Sequence, residues 1–119
     1  MPSDNRDPET HRLLKLEESI VYCFDFSNER SVAGGATIAS PLVQITDGAS
    51  LVTLGTPEVL TSDFEDVDEN GNVGDTVSIG KGVKVAVTPG STKGQCTVSC
   101  RVTDSTTQKP VRKVIFKVE

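Results

Sequence analysis

The chain has no tryptophan, one tyrosine and four phenylalanines among its 119 residues. Binding sugars through exposed ring faces needs aromatics to spare. Tyr22, Phe24 and Phe26 alternate along one side of a strand pattern and belong to a core, so little remains for stacking. Long apolar runs are also missing. None approaches the roughly 20 residues of a membrane-crossing helix, and the charged opening lacks the apolar segment of a secretory signal. The expectation is a chain made in the cytoplasm, with no membrane partner. Histidine occurs once, at His11. A Ser–His–Asp or Cys–His nucleophile would need the polar opening segment to fold over a cleft. The three cysteines do not pair evenly. Cys96 and Cys100 on one strand lie about 13 Å apart, beyond bridging distance, and read as reduced, buried thiols. Zinc would have to gather three scattered thiols and a distant imidazole. No cofactor is expected.

Lysine and arginine are absent from residues 31–80, which carry eight acids, whereas residues 81–119 carry eight Lys or Arg against two acids. The net charge of −5 conceals this segregation. A dipolar chain suits head-to-tail or hetero-subunit contacts, or it keeps opposite edges soluble. Nucleic acid is not an expected partner, because the acid excess repels phosphate and basic residues do not interleave with aromatics.

What the chain does have is valine and threonine in period-two patterns. Its length supports one domain with one modest core. "SIVYCFDFS" alternates as a half-buried strand; "ATIAS" and "PLVQIT" predict short strands on either side of Pro41, followed by "SLVTL" and "EVLTSDF". "GVKVAVT", "QCTVSCRVT" and "VRKVIFKVE" predict an antiparallel meander with one buried face. Seven to nine short strands and no core helix give the fold class: all-β, an immunoglobulin-like antiparallel β-sandwich. Residues 1–17 read as an extended N-terminal arm outside the core, with Asp7 and Pro8 able to start a short helix. Residues 18–119 form the sandwich domain, and 63–75 an acidic loop.

That loop holds the one stretch suggestive of chemistry, "EDVDENGNVGDT". Asp66, Asp68, Asn70 and Gly71 match positions 1, 3, 5 and 6 of a calcium loop, but Val77 stands where a bidentate Glu belongs and strands flank it instead of helices. A solvated acidic loop is the plainer reading; a loose cation site of Asp66, Asp68, Asn70 and Asp75 is the other. Gly34-Gly35 and Gly80-Lys81-Gly82 lack the strand–loop–helix setting of phosphate-binding glycines. The clustered acids do not face one another as a glycosidase pair requires. No enzymatic activity is expected.

Outward apolar residues point instead to contacts. Ile115 falls between Lys113 and Lys117 on the outer side of the last strand, and Val21 and Cys23 lie opposite the aromatic side of the first. Loops or other subunits can cover such positions, and an arm or a neighbouring chain can cover open sheet edges by strand addition. The expected contact residues are Arg6, Arg12, Leu13 and Leu14 in the arm, and Lys113, Ile115 and Lys117 on the last strand.

Several stretches resemble the fiber–tail adaptor proteins of tailed bacteriophages. They are Asp7-Pro8, then Asp25-Phe26-Ser27, then Gly35-x-Thr37-Ile38-x-Ser40. Towards the C-terminus come a Pro89-Gly90-Ser91-Thr92-x-Gly94 loop, Thr97-Val98-x-Cys100-Arg101-Val102-Thr103-Asp104-Ser105, and a closing run Arg112 to Val118. The chain departs at Ala36, where the family carries an acid, near Gln95-Cys96, where an aromatic is missing, and in the acidic 63–75 segment. The resemblance implies a non-enzymatic virion structural protein. It would bind other virion subunits as a tail, fiber or neck adaptor or as capsid decoration, in many copies or as a homo-oligomer. A carbohydrate- or cell-surface-binding sandwich module is the alternative.

Overall fold

The structure, a computed structural model, describes residues 10–48, 50–67 and 73–119. It is an all-β sandwich in which the valine-rich C-terminal strands supply most of the interior. Strands β8 (Gly82–Pro89), β9 (Gly94–Asp104) and β10 (Val111–Val118) alternate as their sequences require. Val83, Val85 and Val87, then Cys96, Val98, Cys100 and Val102, then Val114, Phe116 and Val118, are all buried. Branching at Cβ favours this extended backbone, and period-two placement puts each set on one side.

The three strands are not, however, one meander. β9 pairs with β10, whereas β8 lies in the other sheet. Sheet one has the order β1-β10-β9-β3, with β1 spanning Thr10–Leu14 and β3 spanning Ile38–Asp47. Sheet two has the order β2-β8-β4, with β2 at Ile20–Asp25 and β4 at Val52–Leu54; the short β5, Glu58–Val59, pairs further along β8. Residues 90–93 carry the chain between sheets instead of turning it back. Two faces of valine side by side in one sheet would need a third layer to bury them. Placed opposite each other, they bury one another. The crossing is anchored where Gly90 N donates to Leu51 O at 3.0 Å and Glu17 N donates to Gly90 O at 3.3 Å.

A single cluster joins the inner faces of both sheets. Tyr22 on β2 meets Phe24 edge-on at 5.0 Å between ring centroids and Phe116 on β10 at 5.2 Å. The latter contact spans the two sheets in the T-shaped geometry that ring quadrupoles favour.

The opening segment departs from expectation. Residues 10–14 are not an arm outside the core but strand β1, parallel to β10 with Leu14 opposite Val118. Leu14 is 1% exposed. Leu16 N donates to Glu119 O and Glu119 N to Leu14 O, which ties the two strand ends together. The chain thus covers the β10 edge with its own residues; every other pairing among the described residues is antiparallel. Asp7 and Pro8, the expected helix start, lie outside the described residues.

Pro41 does not divide two strands either. β3 runs through it on the sheet edge, with Ser40 at φ +53° and a bulge against β9 between Arg101 and Thr103. An edge position and a bulge are where a strand tolerates a missing N–H. The Gly34-Gly35 break holds one short helical turn, α1 (Arg30–Ala33). The predicted "EVLTSDF" strand shortens to β5, and the acidic segment is largely a hairpin of β6 (Phe64–Val67) and β7 (Val73–Val77).

Candidate interaction surface

Most polar side chains singled out by the motifs are spent on turns. Asp104, 4% exposed, accepts from Thr106 N, Thr106 Oγ1 and Gln108 N at 2.6–2.9 Å. Asp25 accepts from Ser27 N at 2.9 Å and from its hydroxyl. Ser105 N donates to Thr37 O, and Thr37 N to Ser105 Oγ. Asx-type bonds of this kind fix loop shape. They leave those carboxylates committed at one end of the sandwich.

One surface that carries exposed cations and apolar groups together is the outer face of sheet one. Register places Arg101 between Val111 on one side and Leu42 on the other. Both apolar neighbours are exposed, at 42% and 41%. The next row on this face is Lys113, Ser99 and Gln44, and beyond it lie Ile115 and Thr97. Arg101 and Lys113 are exposed and, among the described residues, have no carboxylate within 4 Å; Lys117 pairs with Glu119 at 3.3 Å.

The expected contact residues divide accordingly. Lys113 and Lys117 are exposed on this face, and Ile115 and Leu13 are half-buried there, Leu13 opposite Lys117. Leu14 belongs to the chain's own core and offers nothing to a partner, a correction that follows from β1 joining the sheet. Arg12 falls on the same side of β1 as Leu14 and is half-buried. Arg6 lies outside the described residues. Leu42, Val111 and Arg101 were not anticipated. Their signal was present: Val111 shares the outward register of Lys113, Ile115 and Lys117, and Leu42 alternates with Val43.

On the opposite side of the molecule the β6–β7 hairpin covers the outer face of sheet two. Cys23, which points away from the Tyr22–Phe24 side, packs with Leu60 and Val77, and Phe64 packs against them. Cys23 is thereby buried, while Val21 remains 50% exposed. The hairpin base is held where Ile79 N donates to Asp63 Oδ1 at 2.8 Å, with the Ile79 side chain 56% exposed. Asp66 and Asp75 sit on facing strands of this hairpin; Asp68 and Asn70 lie outside the described residues. Among the described residues no group of three or more His, Cys, Asp or Glu is placed to hold a metal ion. His11 lies on β1 opposite Ile115.

All five aromatics of the chain are placed: Tyr22, Phe24, Phe26 and Phe116 are buried and Phe64 is half-buried under the hairpin. No protein-family model matches the chain, and no curated protein is similar to it at a significant level. What the fold and surface define is an all-β sandwich with Arg101, Lys113 and Lys117 on the outer face of sheet one.

Proposed function

We propose that this chain is a non-enzymatic structural subunit of a tailed-phage particle. In this reading it is an immunoglobulin-like sandwich that binds other virion proteins, as a tail, fiber or neck adaptor or as capsid decoration. It is made in the host cytoplasm and ends in the virion. One observation carries the reading: the outer face of sheet one presents Leu42 and Val111 around Arg101, with Lys113 in the next row. Apolar side chains exposed in one row with a cation between them suit contact with another protein surface. Small-molecule sites are concave and bring polar groups together.

Two further points support it. The residues that carry the phage-protein resemblance, Asp25, Phe26, Ser27, Thr37, Asp104 and Ser105, serve turns and core, as scaffold residues would. The sugar-binding alternative loses its material, since the aromatic rings are used in packing. The test is quantitative mass spectrometry of purified particles from the source of this chain. Many copies per particle are expected; a chain found only in the soluble fraction after lysis would end the proposal.

A further inference from the structure

The two ends of sheet one are finished differently. At one end β1 lies along β10, whose inward residues Val114, Phe116 and Val118 are at most 1% exposed. At the other stands β3, which pairs with β9 on one side and, among the described residues, with no strand on the other. Its inward residues Val43 and Ile45 pack against the core yet remain only half-buried. Val102 N donates to Pro110 O, so alternation turns the backbone groups of Arg101 and Ser99 toward β3. Their partners Leu42 and Gln44 are thereby bonded to β9, and Pro41, Val43 and Ile45 aim theirs outward. Pro41 thus sits where its missing N–H costs the sheet nothing. We propose that a second copy of this chain adds its own β3 to this edge, antiparallel about a two-fold axis at Gln44, so that the two four-stranded sheets become one continuous sheet.

The edge itself selects this occupant. Residues 38–46, "IASPLVQIT", carry no charge, whereas open edges are commonly guarded by charged side chains. An identical strand therefore meets no like charge here, as a symmetric contact requires. The other edge strands are less suited: β1 holds His11 and Arg12 within its short span, β2 ends at Asp25, and β4 covers only Val52–Leu54. Register follows from parity. Directly opposed residues of an antiparallel pair share a face, so the axis must lie at a residue and not between two. An axis at Val43 would set Pro41, which has no N–H, against Ile45. One at Ile45 would run Val43 against Asp47, past the bulge between Thr97 and Val98. An axis at Gln44 pairs Val43 of each copy with Ile45 of the other and uses the outward N–H and C=O of both. On the inner side Val43 and Ile45 of the two copies then cover one another; on the outer side the Gln44 amides stand opposite and Leu42 faces Thr46. The Arg101 backbones of the two copies stay at least about 14 Å apart across three strand spacings, beyond the screening length of about 8 Å. Five paired residues at about 3.3 Å each make a short contact. It falls below the ~800 Å² per partner of a stable complex, so the dimer forms at high protein concentration.

This pairing is independent of whether the chain belongs to a virion, and it is tested on the isolated protein. Sedimentation velocity from about 10 μM to about 1 mM protein is expected to show a monomer–dimer equilibrium. Each chain has a net charge of −5 and the paired residues carry none, so roughly 0.5 M salt should not dissociate the dimer. Gln44→Lys and Gln44→Glu, both at an exposed position, set like charges opposite each other on the axis. Each should be monomeric where wild type is dimeric, and their 1:1 mixture should dimerise at least tenfold more readily than either alone. Cross-linking reads the register. Gln44→Cys places two thiols at a non-hydrogen-bonded pair, about 4.5 Å between Cα atoms, within reach of a disulfide. Leu42→Cys separates them along the sheet by about 13 Å. Under mild oxidation only Gln44→Cys should yield a disulfide-linked dimer, and circular dichroism checks that each variant folds. A wild type monomeric throughout, charge variants that dimerise as wild type does, or a Leu42→Cys cross-link as efficient as that of Gln44→Cys would each overturn the pairing.

Discussion

Arg112 on β10 holds the Glu29 carboxylate at 3.0 Å, with the two side chains only 16% and 27% exposed. Glu29 stands at the first position before α1, so this pair ties the connection between β2 and β3 to sheet one. Burial pushes the Glu29 carboxyl up from its ordinary value and the Arg112 guanidinium down. Desolvation therefore opposes charge at both ends, and the pair positions α1 more than it adds net stability. Glu29→Ala is expected to cost about 1–3 kcal/mol by removing one partner of a partly buried charged hydrogen bond. Replacing both residues, Glu29→Leu with Arg112→Met, should recover most of that loss. Chemical denaturation of the two singles and the double measures it; a double variant no better than the worse single would contradict the desolvation argument.

Because β1 is paired along β10, truncation through it has a defined cost. Removing 1–15 deletes a strand, exposes the β10 edge and strips Leu14 from the core. Leu14→Ala alone should cost about 2–4 kcal/mol. A 1–15 deletion that melts like wild type would show that β1 is dispensable.

Gly82 lies where the hairpin meets sheet two. A Cβ there would stand 2.7 Å from Val77 Cγ1, 2.9 Å from Cys23 Sγ and 3.1 Å from Leu60 Cδ1. Overpacking of this kind costs about 1–3 kcal/mol, and the hairpin is the element able to move away. Gly82→Ala should make the 63–77 segment the first site of limited proteolysis while the main core stays intact. Unchanged cleavage would mean that the cluster absorbs the methyl group.

Cys100 is fully buried, and burial pushes its thiol from 9.0 up to about 12. Cys96 shifts the same way, chiefly by burial and then by the charge of Asp47. A raised folded-state value means that the unfolded chain releases these protons first. The contribution is complete below pH 9.0 and is lost as pH climbs toward 12, on the order of 2–4 kcal/mol for Cys100. Denaturation midpoints should fall across that window, and Cys100→Ala should flatten the fall. At pH 8 the folded protein should react with thiol reagents far more slowly than after unfolding.

Side-chain alternation was legible from the sequence wherever it was strict. Val83 to Val87, Cys96 to Val102 and Val114 to Val118 all face the interior as their period predicts. Periodicity reports which side of a strand is buried but not which strand lies beside it. For that reason β8 and β9 looked like neighbours although they face each other across the core. β1 was hidden because "THRLL" is short and polar; its place is set by the open edge of β10, a tertiary fact. The acidic segment read as a loop because Asp, Glu, Asn and Gly disfavour strands locally, whereas packing of Phe64 and Val77 on Cys23 and Leu60 sustains the hairpin. At the candidate surface, Lys113, Ile115 and Lys117 were legible from one strand. The row of Leu42, Arg101 and Val111 needed the register of three.

The central claim is that the outer face of sheet one joins this chain to a particle. Incorporation of the face variant, Arg101→Glu with Lys113→Glu, tests it most directly when both proteins are supplied during assembly and counted in purified particles. Both substitutions are at exposed positions, so the variant should fold with a melting temperature within a few degrees of wild type. The expected result is a folded variant at least tenfold depleted from particles relative to wild type. Equal incorporation of the two would contradict the account.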